Sequence, residues 1–205
     1  MPDWLTLASF FAASVLLALS PGPDNFYVLS QSATRGAKAG LLITLGLCTG
    51  LVFHTLAVSL GLAALLAQAP DALYFLRWVG AGYLFYLSVA LWRSAPQNVF
   101  GQPYQIGLVR LYRKGIFLNL TNPKVSLFFL AFMPQFVNPE GWPAPQQFVL
   151  FGALFILSTL LVFGGFACLG GLLTQWLNTN PKALMGVNKV TALVLATVGW
   201  TVIWG

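Results

Sequence analysis

The sequence predicts an all-α integral membrane protein of six transmembrane helices, built as two inverted three-helix repeats in which helices one and four are broken. Three observations carry that reading. The 205 residues are 58% hydrophobic and 7% charged, with a mean hydropathy of +0.81, a balance that excludes a water-soluble domain. The charged side chains fall between long apolar runs. Two of those runs are interrupted by proline beside a charge, at Leu19-Ser20-Pro21-Gly22-Pro23-Asp24-Asn25 and at Leu120-Thr121-Asn122-Pro123-Lys124. Lipid offers no hydrogen bonds to a broken helix, so a break persists only where protein or a water-filled cavity satisfies it, and matching breaks in two halves point to a transporter's binding site.

Taken in order, Trp4 to Pro23 is uncharged and Asn25 to Thr34 continues it weakly polar, one interrupted span that ends at Arg35 and Lys38. Met1-Pro2-Asp3 lacks the basic start of a signal peptide, so this run is expected to be retained. Ala39 to Pro70 carries no charge and, at ~1.5 Å per residue, exceeds the ~30 Å of hydrocarbon. Asp71 closes it. The third span runs from Ala72 to Trp92, with Arg77 able to reach the interface, and Arg93 ends it. From Arg93 to Lys114, Pro96, Gly101 and Pro103 mark a connection and the boundary between halves, approximately 1–100 and 101–205 of a single membrane domain. Gly115 to Val137 is the fourth span, Phe148 to Leu173 the fifth and Ala183 to Trp204 the sixth, where Lys189 must snorkel.

Charge sorts by side. The odd-numbered connections hold Arg35, Lys38, Arg93, Arg110, Arg113, Lys114 and Lys182, whereas Asp3, Asp71 and Glu140 lie on the other side. The positive-inside rule therefore predicts both termini outside, and it accounts for the net charge of +6 without nucleic acid. Trp4, Trp92, Trp142, Trp176 and Trp204 fall near span ends, as interfacial aromatics do. An odd number of spans per half makes the second half enter the membrane inverted.

If each break restarts a helix, Gly22 and Asn122 are its N-caps and Pro23 and Pro123 its first residues, where a missing N–H costs nothing. Asp24 then sits where the helix dipole favours an anion, as an electrostatic cap or as a functional carboxylate. Lys124 sits where the dipole disfavours a cation, at about 2.5–3.5 kcal/mol for a charge at mid-membrane, so a nearby anion is expected, either Asp24 or a substrate carboxylate. A zwitterion satisfies both charges. Candidate substrate-binding residues are Asp24, Asn25, Asn122 and Lys124, around the helix-break residues Pro21, Gly22, Pro23 and Pro123. In span two, Gly46, Gly50 and His54 share one face, and His54 reads either as a proton-coupling group or as an interhelical hydrogen bond. Gly36 with Gly40, and Gly164, Gly165, Gly170 and Gly171 in span five, read as packing residues, and such faces also allow a homo-oligomer.

The pattern Pro21-Gly22-Pro23, the glycines Gly36, Gly40, Gly46 and Gly50, Gly80-Ala81-Gly82-Tyr83-Leu84, and the run from Asn122-Pro123-Lys124 through Leu127-Phe128-Phe129-Leu130-Ala131-Phe132-Met133-Pro134-Gln135-Phe136 resemble the LysE family, particularly its RhtB-type amino-acid exporters. The resemblance spans the chain, although spans five and six match in character alone. It implies a non-enzymatic secondary transporter of the prokaryotic inner membrane. Such a protein exports homoserine, threonine or another neutral amino acid with the proton-motive force, and needs no organic cofactor or metal. The spans hold no acidic residue besides Asp24, which also favours a neutral side chain. The alternative is a membrane thiol-redox conduit using Cys48 and Cys168, but these fall in spans two and five, away from the breaks and without metal-ligand spacing.

Overall fold

Backbone polar groups in hydrocarbon find partners only in one another, which drives an apolar chain to helix along its length. A computed structural model describes residues 2–62, 70–94 and 107–204, and their elements are helical. They are α1 (Trp4–Leu19), α2 (Pro23–Arg35), α3 (Ala37–Ala57), α4 (Pro70–Arg93), α5 (Leu108–Leu120), α6 (Pro123–Leu127), α7 (Ala144–Thr179) and α8 (Pro181–Trp204). A π-helical turn, Val58–Leu62, extends α3; another, Phe128–Phe132, extends α6 and passes into a 3₁₀ turn at Met133–Phe136.

Ala37–Gly61 and Ala144–Trp176 are each long and apolar enough to cross a membrane. The α1–α2 pair, bent by 63°, and the α5–α6 pair with its extension, bent by 48°, are each long and apolar enough together to form a broken span or a re-entrant loop. The predicted connection through Pro96, Gly101 and Pro103 lies outside the described residues, as does the end of the predicted second span at 63–69. The same holds for the side chains of Asp71 and Arg77. The helix at the predicted fifth span, α7, is longer than that span at both ends, because Ala144 to Gln147 and Thr174 to Thr179 continue it past the apolar run.

Asp3 caps α1 by accepting a hydrogen bond from the Thr6 backbone N–H at 2.6 Å, and that bond holds its exposed carboxyl below the usual carboxylate range. At the other end of the first broken span, Gly36 takes φ of +82°, a conformation that favours glycine, to turn α2 into α3. Gly36 is therefore a turn residue rather than half of a packing pair. Gly40 does pack, against Ser32 and Ala167, and Gly170 against Ser32, whereas Gly164, Gly165 and Gly171 face open space.

α3 and α5 run parallel and cross almost backbone to backbone. A Cβ on Gly46 would meet the Tyr112 carbonyl, and one on Gly115 the Ile43 carbonyl. α7 runs antiparallel to α3: Ala167 approaches Gly40, and Ser59 Oγ donates to the Pro145 carbonyl at 3.2 Å. α4 and α8 form a second antiparallel pair, in which Ser88 Oγ donates to the Ala192 carbonyl at 2.7 Å and Asn188 Nδ2 to Ser94 Oγ at 2.8 Å. Lys189 resolves its predicted snorkelling by lying over the Trp92 ring, 5.5 Å from its centroid.

These pairings gather Arg35, Lys38 and the start of α5, with Arg110 and Arg113, at one end of the molecule. Phe10 of α1 meets Phe136 and Phe151 toward the other end, where Asp3 and Glu140 lie. Two apolar clusters occupy these two halves. The acidic-end cluster is aromatic, with Phe10, Phe128, Phe129, Phe132, Phe148, Phe151 and Phe155. The basic-end cluster is smaller and mostly aliphatic, with Val28, Ala39, Ile43, Leu47, Leu111, Phe163 and Ala167.

Candidate functional site

Between the two clusters the breaks meet. A helix that ends inside the membrane leaves its last carbonyls without N–H partners, and the next helix starts with unbonded N–H groups. In this chain the two halves repair each other. Lys124 Nζ donates to the Ser20 carbonyl at 2.8 Å and to the Leu17 carbonyl at 3.3 Å, and Asn25 Nδ2 donates to the Ala18 carbonyl at 2.8 Å. The end of α1 is thereby capped by side chains of α6 and α2. A cation at a helix C-terminus also meets the negative end of the dipole, so Lys124, misplaced on its own helix, is well placed on another.

Gly22 and Asn122 are the N-caps, with Pro23 and Pro123 opening the restarted helices. Asn122 Oδ1 accepts from the Lys124 backbone N–H at 3.0 Å, and its Nδ2 donates to Asp24 Oδ2 at 3.1 Å. One amide thus ties the two breaks together. Asp24 and Lys124 are both buried, at 4% and 7% exposure, and they interact electrostatically. Yet the lysine gives its hydrogen bonds to carbonyls, and Asp24 Oδ1 is left with no partner.

Gly22 marks where these groups converge. A methyl group added there would lie 2.7 Å from Asp24 Oδ1, 3.3 Å from Lys124 Nζ and 3.6 Å from Asn25 Oδ1, which is also buried without a partner. Asp24 and Lys124 line a cavity of about 10 Å³ with Leu17, Leu47, Asn119, Phe155, Thr159 and Phe163. That volume is about one water molecule, so the chain as folded here is closed around its charges. A larger groove of about 540 Å³ lies beside it, between α2, the end of α7 and α8; Pro21 and Asn25 line it, but its surface is almost wholly apolar.

His54 stands apart from this cavity. It is half-buried, its Nε2 lies 3.4 Å from the Asn119 carbonyl at the end of α5, and its ring sits 5.5 Å from that of Phe129. It serves the second break as Asn25 and Lys124 serve the first, by addressing a terminal carbonyl. Cys48 is buried in α3 and Cys168 exposed on α7, both as free thiols, and nothing in this geometry supports a redox conduit.

Sequence reasoning selected Asp24, Asn25, Asn122 and Lys124 and missed Asn119 and Thr159, which bear no break and no charge. It also missed the carbonyls of Leu17 and Ser20 as partners of Lys124. The signal for those was present, since a break after α1 implies orphaned carbonyls that attract a cation.

A family model described as LysE type translocator matches residues 15–205. The chain is 32% identical over 194 residues to a homoserine/homoserine lactone efflux protein of Salmonella typhi, covering 93% of this chain and 92% of that one. It is 30% identical over 190 residues to an uncharacterized membrane protein of Vibrio cholerae, covering 91% and 89%. With a leucine efflux protein of Salmonella choleraesuis it shares 28% over 200 residues, covering 91% and 89%. No solved structure matches.

Proposed function

The chain belongs to the LysE type translocator family, and from that premise we propose that it is a secondary transporter that exports a neutral amino acid from the cytoplasm, driven by the proton-motive force. The observation that carries this reading is the meeting of Asp24 and Lys124, one charge from each broken span, in a closed cavity between two apolar clusters. Asp24 Oδ1, without a partner, receives the substrate's ammonium. Lys124, with the amide of Asn122, receives its carboxylate, and Asn25 Oδ1 adds a second acceptor beside Gly22. One carboxylate and one ammonium match a zwitterion and leave no second anion for a cationic side chain. The efflux of homoserine and leucine named for the relatives fits that charge balance.

A site of one water's volume has to open to load. The two clusters are suited to act as gates, one toward each side, so that parting one while the other holds gives alternating access. The proposal includes six spans, two inverted repeats of approximately 1–100 and 101–205, both termini outside, and the inner membrane of a prokaryote. The gathering of Arg35, Lys38, Arg110 and Arg113 at one end supports that orientation.

Cells expressing the chain and loaded with dipeptides are expected to release one or more neutral amino acids faster than cells carrying an Asp24→Asn variant. Equal release across a full amino-acid panel would defeat the exporter reading. For proton coupling the candidate is His54, which reaches the cavity wall through Asn119. His54→Gln is expected to bind substrate but to lose the dependence of export on the pH gradient; unchanged dependence would leave His54 as a carbonyl cap alone.

A further inference from the structure

From the cavity toward the basic end, one face of α2 carries Asp24, Tyr27, Gln31 and Arg35, at the three- and four-residue spacings that align side chains along a helix. Polar atoms on a buried helix face are normally bonded, and on this face three are not. The Tyr27 hydroxyl and Gln31 Oε1 are buried without a partner, like Asp24 Oδ1 above them, and Gln31 is 5% exposed. Tyr27 packs against the basic-end cluster, so its hydroxyl stands beside an apolar plug, and Gln31 lies one turn further along the same face. Orphaned polar atoms there oppose the closed arrangement and are relieved when the plug parts and water or a polar solute enters.

The corresponding face at the second break is built differently. Along Lys124, Phe128, Ala131 and Gln135 the intervening residues are apolar, and Gln135 Nε2 is bonded to the Ala131 carbonyl at 2.8 Å. The acidic-end plug is therefore larger and aromatic, with Gln135 bonded within its own helix, whereas the basic-end plug is smaller and lies against unbonded polar atoms.

We propose that the Tyr27–Gln31–Arg35 face of α2 is the wall of the path by which the amino acid reaches the cavity from the basic end, with Tyr27 and Gln31 as a relay for its ammonium. Arg35 stands at the mouth, where its charge draws the carboxylate. Gln31 Oε1 and the Tyr27 hydroxyl accept the ammonium in turn and pass it to Asp24 Oδ1. The inference rests on the exporter reading for the identity of the solute, but the wall itself is a property of α2.

The test uses the whole chain in membrane vesicles of both orientations, with Cys48→Ser and Cys168→Ser and a single cysteine at Gln31, Tyr27 or Leu29. The reagent is 2-sulfonatoethyl methanethiosulfonate, an anion that does not cross lipid. Leu29 is the control, as buried as Gln31 but turned to the apolar groove. Gln31→Cys and Tyr27→Cys are expected to react from the side bearing Arg35 an order of magnitude faster than Leu29→Cys. Reaction no faster than the control, or from the Glu140 side, overturns the proposal. Because labelling requires no transport, a chain that labels as expected yet exports nothing from the dipeptide panel refutes the exporter reading and leaves the path standing. In addition, Gln31→Leu is expected to cut export by an order of magnitude while thermal stability stays the same or rises, since an orphaned polar atom is removed. Unchanged export, or export lost together with stability, overturns the relay.

Discussion

The residue on which the proposed site depends most closely is Gly22, which carries no functional group. Its φ of −165° is extended backbone open to any residue, so glycine is not required there by conformation. It is required by space, since a methyl group would crowd Asp24 Oδ1 and Lys124 Nζ. Gly22→Ala is therefore expected to abolish substrate binding by displacing the Asp24 carboxylate, and the strain of that shift is set against the about 0.4–1 kcal/mol that Gly→Ala at a permitted φ gains through the unfolded chain. Thermal unfolding and substrate binding on the purified protein separate the two effects. Lys124 behaves in the opposite way. Lys124→Ala leaves the carbonyls of Leu17 and Ser20 without their donor and the Asp24 carboxylate without its nearby cation, and each buried acceptor left unsatisfied costs about 1–3 kcal/mol. The double variant Asp24→Asn with Lys124→Met is expected to recover part of that stability, because no buried charge is left alone, and to stay inactive. Normal export by the double variant would make the pair structural and move the site elsewhere.

At the scale of elements, the two broken spans hold each other together. The end of α1 is capped from α6 by Lys124 as well as from α2 by Asn25, and the start of α6 is tied to α2 by Asn122, so neither break is satisfied wholly within its own half. The crossing of α3 on α5 brings the halves close enough for this, and it exists because Gly46 and Gly115 let backbones touch. Overpacking of a well-packed contact costs about 1–3 kcal/mol, and more where backbone is the obstacle, so Gly115→Val is expected to separate the breaks and lower both melting temperature and export. The comparison is with Gly82→Val, where a Cβ meets nothing within 4 Å and stability should hold. Equal melting temperatures for the two variants would show that the crossing tolerates separation.

At the scale of the whole molecule, the charged centre lies between plugs of unequal make-up, aromatic at the acidic end and aliphatic at the basic end. That inequality suits an exporter, whose loading gate has to open readily toward the cytoplasm. The orientation it assumes is testable directly. Lys38→Cys and Glu140→Cys, each alone on a cysteine-free background, are expected to label with an impermeant thiol reagent from opposite sides, Lys38→Cys from the cytoplasm. Labelling of both from one side would end the inverted-repeat account.

The sequence by itself determined the membrane class, the family, the two breaks and their caps, because composition, proline and charge act locally and leave their mark in order along the chain. Asp24 and Lys124 were legible for the same reason, as charges that hydrocarbon does not tolerate without purpose. Only the tertiary structure decided what those charges touch. It paired Lys124 with the carbonyls of Leu17 and Ser20 rather than directly with Asp24, and it set His54 on a terminal carbonyl outside the cavity. It also closed the site to the volume of a water and left Tyr27 and Gln31 with unbonded atoms beside it. Those outcomes depend on how far one helix stands from another, which glycine contacts such as Gly46 on Gly115 set across the fold, and a linear pattern of residues carries no such distance.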